Sequence, residues 1–332
     1  MKIALLGAAG FVGRTAAREL SARPEIRELL LVDYNIREAK RFAKSLSPKC
    51  LYAMADVGKP AELARLLEGV TGVANAVGPC TEYEKGILLT CAERKVPVAS
   101  IGDGTLSGPD AREIHDAFLR AGVAAVSGCG MMPGWTELLS ACFLTGNGRA
   151  GAETPGAARG RYLFCSLDRF GGYAFFRRVA KDAGEPGPAP PGSPAGSYFR
   201  MGEDLFGLPP GRPANLYRML RRGLGPLGAV GMELSAAFLF WLRGFLAAAE
   251  GTPAAVAGAW SPGETAGAAA AVSDPEGRLT GALLAETVLR LASGVLKGKG
   301  LLPIPEAIGR EEAERLAASC GGKIRVMGPS GG

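Results

Sequence analysis

The sequence predicts an α/β protein: a doubly wound, Rossmann-type parallel sheet joined to an inserted α+β substrate domain with a small antiparallel sheet. Three observations predict it. From Lys2 to Ser127, apolar runs of strand length alternate with amphipathic runs of helical period. Those strand runs are apolar throughout, as a parallel sheet covered on both faces demands. Beyond about residue 150 the alternation stops, and Gly and Pro become frequent.

Strands are expected at Lys2–Leu6, Leu29–Asp33, Leu51–Met54, Gly72–Val77, Val96–Ile101 and Val123–Ser127. Helices fall between them, near Phe11–Ala22, Arg37–Leu46, Pro60–Glu68, Tyr83–Arg94 and Asp110–Ala121. Pro60 and Pro109 stand at helix starts, where a missing N–H costs little. Right-handed crossovers then place helices on both faces. The stretch Gly151–Pro213 reads as loop, with its densest Gly/Pro segment near 182–213. Val256–Trp260 and Ala266–Val272 flank a Ser-Pro-Gly turn and read as a hairpin. A helix over Thr280–Val295, an extended connector over Gly298–Pro305 and a last helix near Glu306–Ala318 complete the chain.

Composition narrows the function classes. The net charge of +6 is spread along the chain, without the basic stripe of a nucleic-acid binder. One histidine, His115, excludes any site needing two imidazoles, and it sits among charged residues as on a solvated helix face. Seven scattered cysteines with no C-x-x-C pair read as free thiols, and no signal segment opens the chain, so the expected location is the cytoplasm. No metal site is expected. Leu220–Leu246 is the most apolar stretch, but Glu233 and Arg243 interrupt it below the ~18 residues of a membrane span. It reads as a core or homodimer-interface helix, with a membrane-surface helix as the alternative.

The chemistry-bearing motif is Gly7-Ala8-Ala9-Gly10-Phe11-Val12-Gly13, between the first strand and the first helix. Small residues there let the backbone approach a pyrophosphate, and the helix N-terminus adds partial positive charge. Asp33 ends the second strand twenty residues after Gly13, where an acid bonds the adenosine ribose hydroxyls. A helix N-cap is the alternative role for Asp33. An acid there repels a 2′-phosphate, so NAD is favoured over NADP, although Asn35 and Arg37 stand nearby to accommodate one. Tyr34, Asn35 and, after the third strand, Asp56 are assigned to the same cofactor site.

No tyrosine has a lysine four residues on, which removes the short-chain dehydrogenases. A semialdehyde or acyl-phosphate reductase would use Cys129 as thiolate, but no histidine follows it to serve as base. A non-catalytic NAD-binding sensor or membrane-associated scaffold is a third alternative.

Several segments in order resemble the saccharopine dehydrogenase-like oxidoreductases, including the lysine 6-dehydrogenase-like and carboxynorspermidine dehydrogenase-like members. They are Gly7–Gly13, Val32–Asn35, Asn75-Ala76-Val77-Gly78-Pro79-Cys80, Val96–Asp103, Gly128–Gly134 and Lys297–Glu306. The resemblance implies a dinucleotide-binding domain over 1–130, completed by 300–326, and a substrate and dimerisation domain over 131–299. It also implies hydride transfer between a nicotinamide and an amine or imine carbon of an amino-acid-like substrate, or a related carbonyl. In a doubly wound sheet the ligand lies at the carboxyl ends of the strands. Those ends carry Asn75, Ala76, Val77, Gly78 and Pro79, placed along the nicotinamide ribose, and Asp103, Cys80 and Cys129, the candidate active-site groups. Asp103 would hold a substrate ammonium or accept a proton; a turn-stabilising role in Gly102-Asp103-Gly104 is its alternative. Cys80 and Cys129 have passive packing as theirs. Glu137 on the next helix faces either the cleft or solvent, and Arg169, Arg177, Arg178 and Arg200 are candidates for gripping a carboxylate or phosphate.

Overall fold

Continuous apolar strands have nowhere to go but the middle of a two-sided sheet, and that is where the first half of the chain puts them. The computed structural model describes residues 1–102, 106, 108–131, 133–144, 158–163, 225–242, 253–260 and 268–327. Six strands, β1 (Lys2–Leu6), β2 (Glu28–Val32), β3 (Cys50–Ala53), β4 (Gly72–Asn75), β5 (Val98–Ser100) and β6 (Ala124–Ser127), match the expected ones to within a few residues. Between them run α1 (Phe11–Ser21), α2 (Ile36–Lys44), α3 (Pro60–Leu66), α4 (Cys80–Glu93) and α5 (Gly108–Ala121), and α6 (Trp135–Phe143) follows β6. Helix α4 begins three residues before its expected start, because extended Pro79 stands directly at its N-cap.

Beyond residue 143 the described elements are β7 (Ala158–Leu163), α7 (Gly228–Leu242), β8 (Pro253–Trp260), β9 (Ala268–Ser273), α8 (Leu279–Ala292), β10 (Gly300–Leu302), α9 (Ile304–Ala307), α10 (Arg310–Ser319) and β11 (Ile324–Met327). Strand β7 lies inside the stretch expected to be loop. Its pairing partner β8 is almost a hundred residues away, so local sequence carries no sign of it. The expected hairpin is present as β8 and β9, paired antiparallel from Ala255 opposite Val272 to Ala259 opposite Ala268. The segment 182–213 and Arg169, Arg177, Arg178 and Arg200 lie outside the described residues.

The chain divides into two compact units, one of Met1–Leu138 with Arg278–Cys320, the other of Leu139–Gly277 with Gly321–Gly332. The first holds a seven-stranded sheet in the order β10-β6-β5-β4-β1-β2-β3, parallel throughout. This is the doubly wound order with one strand added, and the strand order reverses between β1 and β4. The added strand, β10, corrects the reading of Gly298–Pro305 as a mere connector: it pairs with β6, Gly300 opposite Ala124 and Leu302 opposite Val126. His115 meets this strand from α5. Rather than facing solvent, its half-buried ring takes the Leu301 N–H onto Nδ1 at 3.2 Å. Helix α8, expected on the substrate side, packs in the first unit, where it is buried along nearly its whole length. It crosses α1 so closely that a Cβ on Gly281 would lie 2.6 Å from Cβ of Thr15.

The second unit carries the four-stranded antiparallel sheet β11-β9-β8-β7. Of the apolar stretch Leu220–Leu246, the described helix is α7. It is not a core helix all round, since Val230, Leu234, Phe238 and Trp241 are exposed. No described helix is long and apolar enough to cross a membrane.

Candidate functional site

The glycine loop leaves β1 at Leu6 and enters α1 at Phe11, at the point where strand order reverses. Gly7 has φ +74°, which side chains rarely adopt, and a Cβ there would stand 2.8 Å from the Ala76 carbonyl oxygen. Loop 7–13 therefore lies directly against the backbone that follows β4. A Cβ on Gly13 would meet the Gly7 carbonyl oxygen at 2.1 Å, so the third glycine lets α1 press against the turn. Gly10 is the N-cap of α1, with no side-chain cap, and no acid lies in the first turn. That leaves the positive end of the helix dipole to an external anion. These features fit a dinucleotide's pyrophosphate.

Asp33 is buried at 8% exposure and organises this cradle. Its Oδ2 accepts the Ala9 N–H at 2.8 Å and its Oδ1 accepts the Asn35 N–H at 2.9 Å. One carboxylate thus joins the loops after β1 and β2. It is not the N-cap of α2; Asn35 is, its Oδ1 accepting the Glu38 N–H. The sequence reading missed Arg14, which closes the same corner from α1. Its Nε donates to the Ala9 carbonyl at 2.8 Å, its terminal nitrogen pairs with Glu38 at 2.8 Å, and its guanidinium lies over the Phe42 ring. Tyr34 is 82% exposed beside this cradle, and Phe11 is also exposed. Asp56 is exposed after β3; its Oδ1 accepts the Gly58 N–H at 3.0 Å and Lys59 lies 3.6 Å away.

Across the reversal point, Asn75 ends β4 fully buried. Its Oδ1 accepts the Val77 N–H at 3.1 Å, turning the chain into Gly78-Pro79, joined by a cis peptide. Its amide donates to Ser100 Oγ at 3.0 Å. Ser100 Oγ in turn donates to Glu84 Oε1 at 2.7 Å, and Ser127 Oγ donates to the same oxygen at 2.7 Å. Glu84, on α4, is only 1% exposed, a buried acid that sequence reasoning passed over among the charges of Glu82-Tyr83-Glu84-Lys85. Hydroxyl donors are the compensation that burying a carboxylate requires.

The candidate active-site groups fare differently. Asp103 lies outside the described residues, one position beyond Gly102, which has φ +46° and would place a Cβ 2.4 Å from Ser127 Oγ. Cys80 opens α4 buried, its Sγ 3.7 Å from the Val77 carbonyl. Cys129 is fully buried, and burial pushes its thiol up to about 12, outweighing a hydrogen bond with Thr287. Its burial disfavours a nucleophilic role, because a thiol held so far from ionising supplies little thiolate at neutral pH. Glu137 faces neither cleft nor bulk solvent but its own helix start, accepting the Gly134 N–H and the Thr136 hydroxyl.

The reversal-point glycine loop and the acid that clamps it define a nicotinamide-dinucleotide-dependent oxidoreductase. Residues 3–126 match the model of the saccharopine dehydrogenase NADP binding domain. The whole chain is similar in fold to apo saccharopine dehydrogenase (L-Glu forming) from Saccharomyces cerevisiae. That likeness has a TM-score of 0.55 at 15% identity over 98% of this chain and 99% of that one. A short-chain dehydrogenase/reductase from Vibrio parahaemolyticus aligns at TM-score 0.32 and 16% identity, over 38% of this chain and 77% of that one. A Gfo/Idh/MocA family oxidoreductase from Vibrio cholerae aligns at TM-score 0.32 and 17% identity, over 39% and 38%. Those two likenesses are too slight to carry an argument.

Proposed function

We propose that this oxidoreductase moves a hydride between NAD and a carbon bearing nitrogen, in an amine or imine of amino-acid-like character, or a related carbonyl. The observation that carries this reading is the meeting of the Gly7–Gly13 loop with the Ala76–Pro79 backbone where the strand order reverses. In that reading the α1 N-terminus and loop amides hold the pyrophosphate, and Tyr34 and Asp56 flank the adenosine. Asp33 faces the ribose with the lone pairs its two backbone bonds leave over, which also sets it against a 2′-phosphate and favours NAD over NADP. The bound nicotinamide supplies the hydride acceptor or donor. Asn75 and the loop to Pro79 orient its ribose, and Asp103, following Gly102 at the carboxyl end of β5, holds the substrate's ammonium or takes up its proton. The working form in this reading is a cytoplasmic homodimer, with α7 as its interface.

Screening NAD and NADP reduction against amino acids, polyamines and hydroxy acids tests the reading. Turnover of an amine or amino acid, faster with NAD, supports it; tight NADH binding with no turnover across the panel would instead favour the sensor alternative. In the active assay, Asp103→Asn lowers kcat by about a hundredfold or more while changing NAD affinity little. An Asp103→Asn variant of undiminished activity removes that residue from the chemistry.

A further inference from the structure

The last residues of three adjacent parallel strands stand in register: Asn75 pairs with Ser100, and Ser100 with Ser127. All three carry polar side chains, and a single carboxylate oxygen gathers them. Both serine hydroxyls reach Glu84 Oε1 at 2.7 Å, and Asn75 joins through Ser100 at 3.0 Å. The row lies directly under the backbone that leaves the sheet toward the site. Asn75 also turns Val77 toward Gly78-Pro79, and a Cβ at Gly102 would lie 3.1 Å from Glu84 Oε1. Glu84, meanwhile, sits one turn into α4, the helix that Pro79 caps. The carboxylate therefore fixes both ends of the β4–α4 loop: its start through Ser100 and Asn75, its end through the helix that carries Glu84 itself.

We propose that Glu84 is a positioning residue for the nicotinamide half of the dinucleotide site. It acts by holding the Asn75–Pro79 loop in the form that receives the nicotinamide ribose. The inference rests on the dinucleotide-binding reading above. The adenosine half depends on other groups, Asp33, Ala9 and Arg14, none of which bonds to this row. A side chain buried at 1% exposure makes no contact with the cofactor itself, so its effect passes through the loop. Networks of this kind transmit the loss of one member to the rest, because each hydroxyl that loses its acceptor must find another.

The experiment compares two probes, NADH and ADP, which share the adenosine and pyrophosphate, ADP lacking the nicotinamide and its ribose. Binding is measured calorimetrically on the full chain. For Glu84→Gln the expected result is about a tenfold loss of NADH affinity, the worth of one hydrogen bond to a charged group, with ADP affinity unchanged. Ser127→Ala, which leaves the carboxylate in place, gives a smaller loss in the same direction and serves where Glu84→Gln fails to fold. Glu84→Asp, which keeps the charge but draws it back by one methylene, recovers part of the affinity. Equal losses for both probes, or no loss for either in a folded variant, overturn the assignment of Glu84. Failure of the unaltered chain to bind either probe would instead overturn the dinucleotide reading on which it rests.

Discussion

Two buried acids, Asp33 and Glu84, shape the site, and the sequence reveals one of them. Asp33 is legible because its distance from the glycine loop is fixed by one helix and one strand, a local count. Glu84 is not, because it sits between Tyr83 and Lys85 in what reads as a solvated face. Lys85 bears that reading out, its ammonium held well above its ordinary pKa by Asp110 and Glu113, while its neighbour turns inward to the serines of two other strands. Only the folded sheet brings Ser100 and Ser127 within reach of that position. At Gly13 the geometry leaves no room: with a Cβ 2.1 Å from the Gly7 carbonyl oxygen, Gly13→Ala costs about 1–3 kcal/mol by urea denaturation and weakens NADH binding. A variant as stable and as tight-binding as the parent would contradict that packing. Cys129 offers a pH test. Its thiol, ordinarily near 9.0, is raised to about 12 in the folded chain, so above pH 9 the unfolded chain sheds a proton that the folded chain keeps. Stability contributed by this group is complete below pH 9 and falls as pH rises toward 12. The urea midpoint should therefore drop less between pH 8 and 10 in Cys129→Ala than in the parent; equal drops refute the shift. Mass-mapped alkylation at pH 8 should likewise spare Cys91 and Cys129 until the chain unfolds.

Elements formed by local pattern are foreseen, and those formed by long-range pairing are not. The six strands and five helices expected of the first half follow from apolar runs and their spacing. Strand β10 is three residues long, flanked by Lys299 and Pro303, and has no periodicity to recognise; it is a strand through its pairing with β6, with His115 bonded to its middle residue. Replacing the ring by His115→Ala leaves the Leu301 N–H without its side-chain acceptor and costs about 1 kcal/mol in thermal or urea unfolding. An unchanged midpoint would show that β6 alone secures this edge. Helix α8 was foreseen as a helix but not as a neighbour of α1, because Gly281 reads as a weak point in isolation. In the fold it is the crossing point against Thr15, and Arg278 and Glu19 bridge the same two helices at 2.6 Å. Gly281→Val should lower the melting temperature by several degrees, corresponding to about 1–3 kcal/mol, by forcing α8 off α1. A melting temperature equal to the parent's would mean that the helices part without cost.

At the scale of the whole molecule, the chain enters and leaves each unit more than once. The first unit is made of Met1–Leu138 and Arg278–Cys320, and the second closes with a strand drawn from 324–327. Ending the chain after Lys299 removes β10, α9, α10 and β11 together, stripping one edge from each sheet. Such a chain should lose cooperative unfolding by circular dichroism, and a sharp parental transition would show that the closing segments are dispensable.

The order of those segments also bears on how the protein is made. A ribosome delivers the chain from its N-terminus, and domains ordinarily fold as they emerge. Here the nascent first half has six strands in place, but its α8 cover and its β10 edge are still untranslated. The antiparallel sheet likewise waits for β11, the last strand described. Neither sheet is therefore complete until residues 300–327 have been made, since the last edge strand of each is drawn from that one stretch.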